Sequence, residues 1–280
     1  MSLYLGLSQW SHPAWPGQLL GRELKATEHL LDYGRVFNAV EGNTSFYGVP
    51  DGASLQRWAA QVPEGFRFTF KFPSTISHQG RLADNIAPAL DFIEQLAPLR
   101  RQLGMLMLQL PAACGPEQLE GLEQLLAALP DDIDYGVEVR HPAFFAKGEA
   151  ERMLNRLLLE RGANRIIMDS RPVFSRPPTT PALADAQQKK PKVPVHIIST
   201  GNTPVIRFIG HPETELNRPF WQPWVPRIQA WLEEGKSVYL FVHTADNRLA
   251  PQLAAEIANA LHQPLPEFPG LAPGPQGSLF

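Results

Sequence analysis

Apolar residues recur along the chain in two alternating patterns, and counting them sets the fold. Eight short runs read as strands: Leu3 to Trp10, Phe37 to Asn43, Phe66 to Phe72, Gly104 to Leu110, Tyr135 to Arg140, Arg165 to Ser170, Pro204 to Ile209 and Ser237 to His243. The stretches between them carry apolar positions three and four apart, as in Leu119, Leu122, Leu125, Leu126 and Leu129, or Met153, Leu154, Leu157 and Leu158. That is the spacing of a helix with one buried face. Eight units in 280 residues average 35 residues each. The rhythm predicts an α/β fold, a (β/α)8 TIM-type barrel, as one domain over residues 1–263. A doubly wound open sheet shares the alternation, but it usually has fewer strands and no GxGxxG follows the first one.

Two segments break the rhythm. Between Arg171 and Thr203 the chain is rich in proline and polar residues, so the sixth βα connection is expected to be a long irregular insertion, either a lid or a variable surface loop. From Pro264 onward five prolines preclude a helix, which predicts a proline-rich C-terminal tail over residues 264–280.

Side chains alternate between the two faces of a strand, and the alternation tells which enter the barrel. Phe66, Phe68, Phe70 and Phe72 share a face that packs under helices, which turns Arg67, Thr69 and Lys71 inward. By the same parity Glu41 goes with Phe37, Ala39 and Asn43, Gln109 with Met105 and Met107, and Glu138 with Gly136 and Arg140. Arg207 goes with Val205 and Ile209, and His243 with Tyr239 and Phe241. Together with Asp169 at the end of the sixth strand, the reading gathers Glu41, Lys71, Gln109, Glu138, Arg140, Arg207 and His243 at one end of the barrel. Active sites in this architecture lie at the C-terminal ends of the strands.

Composition narrows the function classes. Charged residues make up 19% and the net charge is −3, too balanced for an electrostatic nucleic-acid binder. Lys189, Lys190 and Lys192 give the long connection a local positive charge, which reads as a solvated loop. One cysteine, Cys114, rules out an intramolecular disulfide and points to a reducing, cytoplasmic compartment. No apolar run reaches the roughly 20 residues needed to span a bilayer, so no membrane partner is expected. The sequence is silent on oligomeric state.

The residues also resemble a known family. VEGNTSFYGVP (Val40 to Pro50), Trp58, PEGFRFTFK (Pro63 to Lys71) and ISH (Ile76 to His78) are similar to the DUF72 family, also called YecE-like proteins. LGMLMLQLP (Leu103 to Pro111), GVEVRHPAFF (Gly136 to Phe145) and VIRFIG (Val205 to Gly210) continue the likeness over most of residues 3–262. The last strand departs from it: FVHTADN (Phe241 to Asn247) stands where relatives carry a Phe-Asn-Asn type run. The resemblance implies a TIM-type barrel and no particular activity.

Glu41 and Glu138 are the candidate catalytic carboxylates, because their surroundings can tune a carboxyl toward acid or base work. Lys71 is the third catalytic candidate, as an electrophile or, with a lowered pKa, a base. Arg140 and Arg207 supply charged forks for a phosphate or carboxylate. Trp10, Phe46, Tyr47 and His78 are candidate walls. Asn43, Thr44, Gln109, Asp169 and His243 complete the expected binding set. The expected function is an enzyme using acid and base catalysis on a small, polar, phosphorylated or carboxylated metabolite, without cofactor or metal.

Three alternatives stay open. The first is a non-catalytic anion-binding or regulatory protein. The second is a divalent-metal isomerase or endonuclease-like enzyme using Glu41, Glu138, Asp169 and His243, although Lys71, Arg140 and Arg207 would compete for those carboxylates. The third is an ion-pair plug with no site at all. GxSxG, P-loop and HExxH patterns are all missing, so acyl transfer and nucleotide hydrolysis are disfavoured.

Overall fold

The computed structural model describes residues 2–271, and in it all eight predicted strands form. They are β1 (Leu3–Leu7), β2 (Ala39–Gly42), β3 (Arg67–Lys71), β4 (Leu103–Gln109), β5 (Tyr135–Glu138), β6 (Asn164–Asp169), β7 (Val205–Gly210) and β8 (Val238–Thr244). Each pairs in parallel with the next, and β8 pairs with β1, closing a barrel. The helices are α1 (His29–Val36), α2 (Gly52–Gln61), α3 (Ser74–Ser77), α4 (Ile86–Gln95), α5 (Leu119–Ala128), α6 (Glu149–Glu160), α7 (Pro181–Lys189), α8 (Arg218–Trp221), α9 (Trp224–Glu233) and α10 (Ala250–Ala260). The fold is therefore a (β/α)8 TIM-type barrel. Among the described residues no helix is long and apolar enough to cross a membrane.

Strand parity sorts the core into two layers. Phe66, Phe68, Phe70 and Phe72 lie outside the barrel with Leu106, Leu108, Val137, Ile206 and Phe208, packed under the helices. Inside, Ala39, Met105, Met107, Ile166, Val205, Tyr239 and Phe241 form a separate apolar plug, with Tyr4 stacked on Tyr239 at 4.7 Å between centroids. This plug fills the lower barrel beside the inward Arg67, which lies over Tyr4, and the buried Thr69, and the other inward polar side chains gather at the C-terminal end. Phe37, grouped by parity with the inward row, lies before β2 begins and packs outside against Tyr33.

The closure is uneven. β1 pairs with β8 from Leu3 against Val238 to Leu7 against Val242, but with β2 only at Gly6 and Leu7. Two side chains supply the missing bonds. Asn38 accepts from the Leu5 amide at 2.7 Å and donates to the Leu3 carbonyl at 2.8 Å. The buried Tyr33 hydroxyl accepts from the Leu7 amide and donates to the Ala39 carbonyl, both at 2.8 Å. Gly6 permits this close approach: a Cβ there would stand 2.0 Å from the Ala39 carbonyl oxygen.

The sixth connection departs from expectation. Residues 171–203 are not wholly irregular, because α7 forms in their midst, started by Thr180, whose side chain accepts from the Leu183 amide, and by Pro181 at its first position. Leu183 and Ala186 of α7 pack with Val173 on Met168 and Ile209, the inward residues at the tops of β6 and β7. The insertion thus lies across the barrel mouth. Its return limb is fastened by Ser170, which donates to the Pro191 carbonyl at 2.8 Å, and by His196, whose ring contacts Glu151 at 2.5 Å. Residues 264–271 of the expected tail pack on the barrel through Leu265 and Phe268, and its remainder lies outside the described residues.

Candidate functional site

Six of the eight strands end sooner than the hydrophobic pattern suggested, β7 and β8 being the exceptions. Asn43 and Arg140 fall just past β2 and β5, in the loops that rim the mouth. Above the apolar plug, β2, β5 and β7 bring three buried charges together. The Arg207 guanidinium donates two bonds of 2.7 Å to the two oxygens of Glu41, and its other arm donates to Glu138. Arg140 also grips Glu138, through Nε at 2.9 Å and Nη2 at 2.7 Å. His243 on β8 sits 3.3 Å from Glu41. Burial alone would raise both carboxyl pKa values. Arg207, His243 and Lys71 instead hold Glu41 well below its ordinary value, while Arg207, Arg140 and Lys71 bring Glu138 to about 2.

Lys71, at the end of β3, is placed differently. Its ammonium donates to the neutral Gln109 side chain at 2.9 Å, and the nearest carboxylate oxygen, on Glu41, is 4.0 Å away and already bound to Arg207. Burial, reinforced by Arg207, lowers its pKa to about 7 against the pull of Glu41 and Glu138. Burial likewise brings His243 down to about 4 despite Glu41, so its imidazole is neutral at pH 7.

A cavity of about 500 Å³ opens over these groups. Its walls include Lys71, Arg140, Lys189, Lys190 and Arg207, and among the described residues no Asp or Glu lines it. Glu41 and Glu138 lie beneath the cations, 0% and 2% exposed. The two expected acid–base carboxylates are thus covered and consumed in ion pairs. Asn43, Tyr47, His78, Gln109 and His243 also line the cavity, with Phe46, whose ring lies 5.8 Å from the Lys71 ammonium.

Three expected site residues are elsewhere. Asp169 faces the helix layer, where its carboxylate accepts from the Trp224 indole at 2.8 Å and from Arg171. The inward positions of β6 are Ile166 and Met168. A strand buried on both faces is apolar on both, so parity could not be read from IIMD, and a polar residue at its end was assigned inward by type alone. Trp10 packs edge-on against Trp58 at 4.9 Å, outside the barrel, because β1 stops at Leu7 and the chain has turned away. Thr44 is exposed and lies outside the cavity lining, since it starts the short 3-10 turn Thr44–Phe46 behind the rim.

Sequence reasoning missed Lys189, Lys190 and Asn247 as wall residues, along with Ser8, Gln9 and Ser74. The adjacent lysines were visible, but only the seating of α7 over Met168 and Ile209 carries them back to the mouth. Among the described residues no group of three or more His, Cys, Asp or Glu side chains is placed to hold a metal ion.

Comparisons with known proteins agree with the architecture. Residues 4–277 match the family described as "Protein of unknown function DUF72". The chain is 46% identical over 279 residues to the UPF0759 protein YecE of Escherichia coli (strain K12), covering 99% of this chain and 100% of that one. Two crystal structures of DUF72 family proteins share the fold. The one from Enterococcus faecalis V583 superposes with a TM-score of 0.73 at 20% identity, covering 95% of this chain and 98% of that one. The one from Thermotoga maritima MSB8 gives 0.70 at 21%, covering 94% and 100%. With a match across nearly its whole length and a relative this similar, the chain belongs to the DUF72 family.

Proposed function

We propose that the chain is an enzyme that binds a small phosphorylated or carboxylated metabolite at the barrel mouth and transforms it by proton transfer, with Lys71 as the group that moves the proton. The observation that carries this reading is the inventory of the cavity walls: among the described residues, Arg140, Lys189, Lys190 and Arg207 line it beside Lys71, with no Asp or Glu. A forked or double-charged anion would satisfy Arg140 and the lid lysines together. Lys71 is suited to proton transfer because its pKa near 7 leaves both protonation states populated at neutral pH. Glu41 and Glu138 position Arg207 and set the local field rather than meeting the substrate. The divalent-metal reading loses its donor set, since Asp169 faces away and Arg207 occupies both glutamates.

Thermal-shift screening with inorganic phosphate, sugar phosphates and sugar acids tests the reading. A ligand at a hundred times its Kd stabilises by about 2.7 kcal/mol, enough for a shift of several degrees. The shift is expected from anions and not from neutral sugars, and Arg140→Ala is expected to abolish it. Neutral sugars binding as well as their phosphates would sink the proposal. A non-catalytic binding protein is the second reading, favoured by the consumption of both glutamates in ion pairs. NMR of the best binder separates the two: turnover supports the enzyme, and tight binding of every anionic hit without product supports the binding protein.

A further inference from the structure

Lys71 has a setting that proton transfer alone does not require. The residue is only 7% exposed, yet it forms part of the wall of an open cavity. A buried ammonium is normally paired with a carboxylate. Among the described residues its only hydrogen-bond partner is an uncharged amide oxygen, and the closest carboxylate is already committed to Arg207. The charged groups facing Lys71 are Glu41 from β2, Glu138 from β5, Arg207 from β7 and Lys190 from the end of the lid, with His78 nearby on the rim. Two of these are cations that repel a third positive charge. With Gln109 accepting one N–H, a neutral amine keeps its lone pair available to the cavity.

Resting on the reading of the cavity as an anion site, we infer that Lys71 is a Schiff-base lysine whose Nζ condenses with the carbonyl carbon of an anionic aldehyde or ketone held by Arg140 and Lys190. In the first step Nζ attacks the carbonyl carbon. The C–N bond forms as the C=O π pair moves to oxygen, and that oxygen gains the proton nitrogen gives up. In the second step the carbinolamine hydroxyl leaves as water after taking one proton from solvent in the open cavity, and the nitrogen lone pair closes the C=N bond of a protonated imine. No oxidant or reductant is consumed. The imine nitrogen keeps the positive charge near Glu41 and Glu138, which lie beneath it. An iminium at this position would activate the adjacent carbon for proton removal or C–C cleavage.

The experiment uses the full chain with glyoxylate, a carboxylated aldehyde, and dihydroxyacetone phosphate, a phosphorylated ketone, each with sodium cyanoborohydride. Adducts are located by peptide mass mapping. Reduction is expected to fix one adduct per chain, on Lys71, at least tenfold faster than on exposed Lys25 or Lys147. The trapping rate should climb as pH rises through about 7 and then level off, whereas ordinary lysines keep gaining toward pH 10. Arg140→Ala retains the amine and is expected to slow trapping at Lys71 tenfold or more. Labelling of Lys71 no faster than Lys25, while phosphate still raises the melting temperature, overturns the Schiff-base assignment and leaves the anion site standing. No thermal response to phosphate, glyoxylate or dihydroxyacetone phosphate overturns both. The mapping reads wild-type protein, so its outcome does not depend on how well a Lys71 variant folds.

Discussion

Arg207 carries two carboxylates at once, so the three members of that cluster are unequal. Removing the arginine takes both guanidinium bonds from the fully buried Glu41 and leaves Glu138 with Arg140 alone, while removing Glu138 leaves Arg207 with both oxygens of Glu41. Arg207→Met is therefore expected to cost roughly 3–5 kcal/mol in chemical denaturation, and Glu138→Gln about 1 kcal/mol. Equal costs would mean that the cluster does not share Arg207 in this way. The pH response follows from the same groups. Glu138 has a folded pKa of about 2 against an unfolded value of 4.5, so its stabilisation is complete above 4.5 and lost as pH falls toward 2. Lys71 works in the other range. Its folded pKa of about 7 lies below the unfolded 10.5, so the unfolded chain binds more protons between those values and stability rises with pH across them. Lys71→Met should flatten that rise, as read from denaturation midpoints at pH 7 and pH 10. An unchanged slope would show that Lys71 is not desolvated. Parity made most of these residues legible, because Glu41, Glu138, Arg207 and His243 share rows with small or apolar residues that face inward, and Lys71 lies opposite a row of phenylalanines that must face the helices. Asp169 was illegible because β6 has no polar face to contrast with.

At the scale of one element, α7 decides the character of the mouth. Its packing face is small, Leu183 and Ala186 against Val173, Met168 and Ile209, and it carries Lys190 to the cavity wall. Leu183→Ala is expected to make local opening of residues 181–190 easier by about 2 kcal/mol or more, roughly thirtyfold in amide hydrogen exchange. Exchange in β6 and β7 should change far less, since so small a packing face lets α7 open without the barrel. Uniform acceleration across the barrel would show that α7 belongs to the cooperative core. Thr180 and Pro181 carry a helix-start signal, which the prolines around them mask in the sequence. What the sequence could not show was the tertiary contact that makes so short a helix stable, because propensity alone leaves nine residues marginal.

For the whole molecule, the eightfold rhythm was legible because strand and helix periods differ and the plug and outer layer are both apolar. Strand ends were read too long at Trp10 and Arg140, since nothing in an apolar-polar alternation marks where pairing stops. The seam between β1 and β2 was not legible at all: it depends on side chains replacing backbone bonds. Tyr33→Phe leaves the Leu7 amide and the Ala39 carbonyl without their shared partner and should cost about 1–3 kcal/mol. Faster exchange at the Leu7 amide is the matching signature, and an unchanged rate would mean that water or backbone takes over the bond.

That seam also bears on the order in which the barrel is assembled. As the chain leaves the ribosome β1 comes out first, yet its full-length partner is β8, the last strand made. Until Val238–Thr244 arrives, β1 has only its short contact with β2 and the help of Tyr33 and Asn38. The growing sheet meanwhile keeps two open edges, each a template for pairing with another chain. A chain that stalls or is cut before β8 is therefore expected to lose soluble yield sharply through strand-to-strand association, even with seven of its eight strands in place.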